Sequence, residues 1–230
     1  YGIRELWARP ERALVLVPEA FDAPGRLQPT ANVRYVGPLR DPGLLDEDDP
    51  LPWGEDDRRP LVLISLSSTI QIGQADLMQR ILDAVDPSLI RCLLALGKVR
   101  PEEVEVPAGV VARPWVSHAA VLPQVHAVVN HGGVSTVLGA LGHGVPLLCL
   151  PLGRDQPNNA ARLAAVGAGL TLKQSAKPTI IGAALTELLA DERYRVNARW
   201  MQREIAGYGQ GERVVAELEE LLATTRRSFV

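Results

Sequence analysis

Short apolar runs alternate with segments of helical period along most of this chain. That alternation restricts the fold more than any other feature. Leu61–Leu66, Leu89–Leu96, Gly109–Ala112, Ala127–Asn130, Val145–Leu150 and Gly169–Leu172 read as strands. Between them, Leu77, Met78, Ile81, Leu82 and Val85 share one face of a helix over 75–85. A short helical turn is expected at 119–123. Val134, Val137, Leu138 and Leu141 mark the next helix, and 157–166 another. Ile180, Ile181, Ala184, Leu185, Leu188 and Leu189 mark a further one, with two more over 192–206 and 212–224. Strands that are apolar on both faces and separated by helices imply an α/β fold, a parallel sheet with helices on both faces. Ligands of such sheets bind beyond the carboxyl ends of the strands, near the switch in strand order.

The first sixty residues follow another pattern. Residues 38–60 hold eight acidic and three basic residues, with Pro38, Pro42, Pro50, Pro52 and Pro60. Such a stretch has neither helical nor strand periodicity and reads as an interdomain linker. Before it, Ala13–Val17 and Val33–Val36 are too little to build a core and read as the end of a preceding domain over 1–37. The main domain is then expected over 61–206, followed by a terminal helix over 207–230. The chain opens on Tyr1 rather than methionine, so it reads as a piece of a longer protein.

Composition removes several classes. The net charge of −3 gives no basic field for nucleic acid or an anionic membrane. No apolar stretch approaches the roughly 20 residues of a membrane span. Cys92 and Cys149 sit inside apolar runs and read as buried thiols rather than a disulfide framework. No signal peptide pattern opens the chain and no Asn-x-Ser/Thr acceptor occurs, which points to the cytoplasm.

Residues 114–153 contain no Asp, Glu, Lys or Arg, yet hold all four histidines: His118, His126, His131 and His143. Its sharpest motif runs from Val128 to Thr136, Val-Val-Asn-His-Gly-Gly-Val-Ser-Thr. A strand ends at Asn130, Gly132 and Gly133 turn the chain, and a helix follows with Ser135 and Thr136 in its first turn. The free amides and positive dipole end of a helix N-terminus attract an anion, and glycines let a phosphate approach the backbone. His131 can add a donor or, if protonated, a charge. The plainer alternative is a strand–helix turn with Ser135 as N-cap.

Three further loops fall after strands. Asp155-Gln156 offers acceptors and donors for a polyhydroxylated ligand, or Asp155 simply caps the helix, with Pro157 near its first position. Ser65-Leu66-Ser67-Ser68-Thr69 could touch a phosphate or form a local hydroxyl turn. Trp115, in Arg113-Pro-Trp-Val-Ser-His118, could stack on a nucleobase or sit in the core. Other chemistries lack their signatures. There is no G-x-G-x-x-G, no G-x-x-x-x-G-K-[ST] and no G-x-S-x-G. His126 and His131 are poorly spaced for a metal.

The ordered set Trp115-Val-Ser-His118, His131-Gly-Gly-x-Ser-Thr136, Gly144-Val-Pro146 and Asp155-Gln156 with Asn159-Ala160 resembles the donor-binding signature of nucleotide-sugar-dependent glycosyltransferases of GT-B architecture. More narrowly, it resembles bacterial natural-product enzymes of the macrolide and enediyne type, over residues 13–224. The resemblance implies the Rossmann-like C-terminal, donor-binding half of a two-domain fold. It implies that Trp115 and the Val116 backbone hold the base, with His118 where the family often has Gln. His131, Gly133, Ser135 and Thr136, helped by Ser68, would hold the diphosphate. Asp155 and Gln156 would hold sugar hydroxyls. His126 and His143 are left as structural. Several relatives carry a ribose-binding glutamate where this chain has Gly139, so a dTDP-sugar is favoured over a UDP-sugar.

The reaction so implied is an inverting displacement at the anomeric carbon, without metal or cofactor. Its general base belongs to the N-terminal half, so no catalytic residue is expected in this chain and the chain alone is expected to transfer no sugar. The acceptor would be a small-molecule natural product. A non-catalytic nucleotide-sugar-binding module, or the donor subunit of a split enzyme, would share the same residues. A sugar-nucleotide epimerase needs carboxylates in the cleft, which the charge-free stretch 114–153 lacks. The terminal helix carries Val214, Val215, Leu218, Leu221 and Leu222 on one face, which would cover the N-terminal half or support self-association.

Overall fold

A computed structural model describes residues 5, 8–22, 30–39, 51–54, 56–209 and 211–227. The chain divides into two compact units, Tyr1–Asp41 with Met201–Val230, and Pro42–Trp200. Of the stretch read as a linker, residues 40–50 and 55 lie outside the described residues. No helix among the described residues is long and apolar enough to cross a membrane.

In the first unit, β1 (Ala13–Val15) and β2 (Val33–Tyr35) pair in parallel, with Leu14 opposite Arg34. Gly37 adopts φ +74° and lies so close to Tyr208 that a Cβ there would meet its ring at 2.5 Å. Arg12 binds the carboxylates of Glu217 and Glu220, on the helix Glu212–Arg227. Val215, Leu218 and Leu222 of that helix are exposed.

The second unit is built on a six-stranded parallel sheet. Its strands are β3 (Leu61–Ser65), β4 (Arg91–Ala95), β5 (Val110–Arg113), β6 (Ala127–Asn130), β7 (Leu147–Cys149) and β8 (Gly169–Thr171). Their spatial order is β5-β4-β3-β6-β7-β8. Each lies within a residue or two of a run legible in the sequence. Helices α1 (Gln74–Leu82), α2 (His118–Val121), α3 (Val134–Gly142), α4 (Gln156–Val166), α5 (Pro178–Ala190) and α6 (Glu192–Ala206) follow in chain order. The last α6 residues belong to the first unit, and α7 is Glu212–Arg227.

The four inner strands β4, β3, β6 and β7 are buried on both faces, which is why they show no polar alternation. Val62, Ile64, Cys92, Leu94, Ala127 and Val129 join one core with Leu77, Met78 and Ile81 of α1 and Ile181, Leu185 and Leu188 of α5. The alternate residues Leu61, Leu63, Leu93, Val128 and Leu147 are equally buried, as are Val137, Leu138 and Leu141 of α3. Both cysteines are buried and free, and burial pushes the Cys92 thiol up to about 12. The chain runs outward from β3 to β5 and returns to β6 on the other side of β3. The switch in strand order therefore lies between β3 and β6, whose last residues, Ser65 and Asn130, are register partners.

Candidate functional site

The turn after β6 is held from several sides. Asn130 is fully buried at the end of the strand, and its Oδ1 accepts the Gly132 N–H at 3.1 Å and the Cys149 thiol at 2.9 Å. Its Nδ2 is buried without a partner. Gly132 turns at φ +86°, with the Gln156 carbonyl 2.9 Å from where a Cβ would stand. Both the left-handed backbone and the close approach require glycine here. The Gly132 carbonyl accepts from Asn159 Nδ2 at 3.0 Å. Gly132, ahead of α3, is thus held at both its N–H and its C=O.

Gly133, not Ser135, is the N-cap of α3. Ser135 is exposed and Thr136 half-buried in the first turn. Glycine offers no side chain to cap the helix, and the amides of Val134, Ser135 and Thr136 have no partner among the described residues, an open donor set. His131 lies beside this opening. A Cβ on Gly133 would stand 2.7 Å from its Cε1 and 2.8 Å from its Nε2. The ring is 7% exposed and its Nδ1 is buried without a partner. Burial pushes its pKa down to about 4, against the attraction of Asp155 and with the repulsion of Arg154. His131 is therefore neutral near pH 7.

The other loops reach the same sheet edge. His118 opens α2, and its Nε2 lies 3.0 Å from Ser65 Oγ at the end of β3. Burial lowers its pKa too. Ser67 is buried and closes a local turn, its Oγ accepting the Thr69 N–H at 3.1 Å, while Ser68 faces solvent. Trp115, just beyond β5, is 67% exposed and not a core residue; Val116 beside it is buried.

After β7, Asp155 takes the N-cap position of α4, but its side chain does not cap the helix amides. Its Oδ2 accepts from Asn159 Nδ2 at 2.8 Å instead. Gln156 is 2% exposed. Its Oε1 accepts the amides of Leu152 at 2.7 Å and Gly153 at 3.1 Å, and its Nε2 donates to Gln71 Oε1 at 2.9 Å. That last bond ties the loop after β7 to the loop after β3. One Nε2 hydrogen remains for a ligand.

The loops after β3, β5, β6 and β7 therefore converge, through Ser65–His118, Gln71–Gln156 and Asn159–Gly132. Trp115 has no direct bond to the others. Sequence reasoning did not single out Gln71, and it missed the supporting roles of Ser65 and Asn130; a polar residue ending an apolar strand directly before His-Gly-Gly was the available signal for Asn130. His126 accepts the Leu61 N–H at 3.2 Å, and His143 Nδ1 lies 2.8 Å from the Gly139 carbonyl, both internal roles. No group of three or more His, Cys, Asp or Glu among the described residues is placed to hold a metal ion.

Residues 77–221, more than half of the chain, match the family described as erythromycin biosynthesis protein CIII-like, C-terminal domain. The chain is 32% identical over 202 residues to 4'-demethylrebeccamycin synthase of Lentzea aerocolonigenes, covering 86% of this chain and 47% of that protein. It superposes on the kitacinnamycin glycosyltransferase with a TM-score of 0.78 at 26% identity, covering 96% of this chain and 57% of that one. For the calicheamicin glycosyltransferase CalG4 the values are 0.77, 26%, 97% and 57%. The chain spans about half the length of the curated relatives it matches. It belongs to the erythromycin biosynthesis protein CIII-like C-terminal domain family and has the fold of the C-terminal half of GT-B glycosyltransferases.

Proposed function

We propose that this chain binds the nucleotide-sugar donor of an inverting glycosyltransferase that acts on a small-molecule natural product. The observation that carries the reading is the uncapped start of α3 at the sheet's switch point, with neutral His131 against Gly133. The glycosyltransferases among its relatives support the reaction class.

In this reading Trp115 stacks on the base and the Val116 backbone contacts it, with His118 behind them against Ser65. The amides around Gly133, with His131, Ser135, Thr136 and Ser68, receive the diphosphate. Asp155 and the remaining hydrogen of Gln156 face sugar hydroxyls. Gly139 leaves no carboxylate for ribose hydroxyls, which favours dTDP over UDP.

The acceptor oxygen forms a bond to the anomeric carbon from the face opposite the diphosphate. The bond from that carbon to the phosphate oxygen breaks, and its electron pair leaves with the nucleoside diphosphate. The acceptor proton passes to a base in the N-terminal half. The role of this chain is to stabilise the charge that grows on the leaving group, with preorganised amides and no resident metal.

Calorimetric titration of the chain with dTDP and UDP tests the reading. Saturable binding of either supports it, and tighter binding of dTDP supports the Gly139 argument. Binding of neither overturns it.

A further inference from the structure

Arg154 is the only non-glycine among the described residues with positive φ, at +57°. A bulky residue held there is strained by about 1 kcal/mol or more, and such strain persists where the surroundings enforce it. It follows Gly153, at φ +150°, and precedes the Asp155 cap of α4. Its side chain is exposed and makes no hydrogen bond or ion pair among the described residues.

Its position is set by contacts between its loop and the end of β6. The Leu150 N–H donates to the Asn130 carbonyl at 2.8 Å, the Gln156 carbonyl abuts Gly132, and Asn159 holds the Gly132 carbonyl. The loop carrying Arg154 is therefore seated against the turn that opens α3. Arg154 and Asp155 are also the charged groups that act on His131.

The charge balance of the turn is the second observation. No charged residue lies between Pro114 and Gly153, so β6, its turn and the whole of α3 carry none. His131, more than nine-tenths buried and with Nδ1 unpartnered, is neutral near pH 7. Amides and one neutral imidazole must then face a multiply charged diphosphate. Asp155, the carboxylate that acts on His131, is engaged by Asn159. Arg154 is the first cation on the C-terminal side of the charge-free stretch, and its guanidinium has no partner among the described residues.

We propose that Arg154 is the cation of the anion site, closing on the diphosphate of the donor and acting where many diphosphate sites use a metal ion. This rests on the donor-site reading above. A guanidinium suits the role because it pairs with two phosphate oxygens at once and keeps its charge at any working pH.

The test separates charge from backbone. Arg154→Gly and Arg154→Asn relieve the positive φ and remove the cation, and Arg154→Lys keeps the cation. Each is titrated with dTDP and UDP, with thymidine and uridine as uncharged partners, at low and high salt. The expected result is diphosphate affinity lowered about tenfold by Gly and Asn, with a flatter salt dependence. Nucleoside affinity stays unchanged, Arg154→Lys recovers most of the loss, and Arg154→Gly melts no lower than the parent chain. If Arg154→Gly binds the diphosphates as the parent does, or weakens diphosphate and nucleoside alike, the role is wrong while the donor site stands. If the parent chain binds no diphosphate, both readings fall together.

Discussion

The imidazole of His131 occupies the space that a side chain on Gly133 would need, 2.7 Å at Cε1 and 2.8 Å at Nε2 from an added Cβ. Gly133 has φ −62°, an ordinary value for any residue, so its requirement here is steric. Gly133→Ala is expected to push the ring off the mouth of α3. Affinity for dTDP should fall about tenfold, with a melting temperature lowered by only a few degrees because the strain stays local. Calorimetry and thermal melting together check this; unchanged affinity contradicts it.

Trp115 gives the complementary case. At 67% exposure it contributes little to the core. Trp115→Ala should leave the melting temperature within a degree or two of the parent. Loss of base stacking should weaken dTDP and UDP by about 1–3 kcal/mol. A variant that melts much lower while binding normally would place Trp115 in the structural class instead.

Stability should depend on pH through the histidines whose pKa values burial lowers. His131 is held neutral in the folded chain down to about pH 4, and burial lowers His118 as well. An unfolded histidine takes up its proton near pH 6.5. Between those values the unfolded chain binds more protons than the folded one, so stability falls as pH drops from about 6.5 towards 4. Urea unfolding across that range measures it. His131→Gln, which cannot titrate, should shrink the slope; an unchanged slope would show that His131 does not supply it.

Gly139 lies partly exposed in α3, and a Cβ there would meet only Leu122 Cδ1, at an ordinary 3.7 Å. Gly139→Glu is therefore sterically open and removes a helix-interior glycine, worth about 0.5–1 kcal/mol of stability. Its carboxylate should shift preference from dTDP towards UDP in competition titrations. A preference that does not move would remove ribose recognition from this position.

The strands were legible because β3, β4, β6 and β7 are buried on both faces and so appear as runs that are mostly apolar. Helix ends were legible where glycine closed them, as at Gly167, with φ +72°. The uncapped start of α3 was not. Ser135 is a good capping residue by type, yet the backbone turns two residues earlier, where Asn130 and Asn159 hold the Gly132 peptide. The Asn159 bond joins residues 27 positions apart on different elements, which periodicity cannot report. Gln156 shows the same limit. Beside Asp155 it reads as a ligand group, but the fold spends most of its amide on Leu152, Gly153 and Gln71. The strain at Arg154 has no sequence signature, since arginine is not a residue that favours positive φ.

The central claim is that the turn after β6 receives the diphosphate through neutral His131. Nitrogen-15 NMR of the four imidazoles, recorded near pH 7 while dTDP is added, tests it most directly. The account predicts a neutral His131 in the free chain, saturable movement of its ring-nitrogen signals on binding, and little movement for His126 and His143. A protonated His131 in the free chain, or saturable dTDP binding that leaves its signals in place, would contradict it.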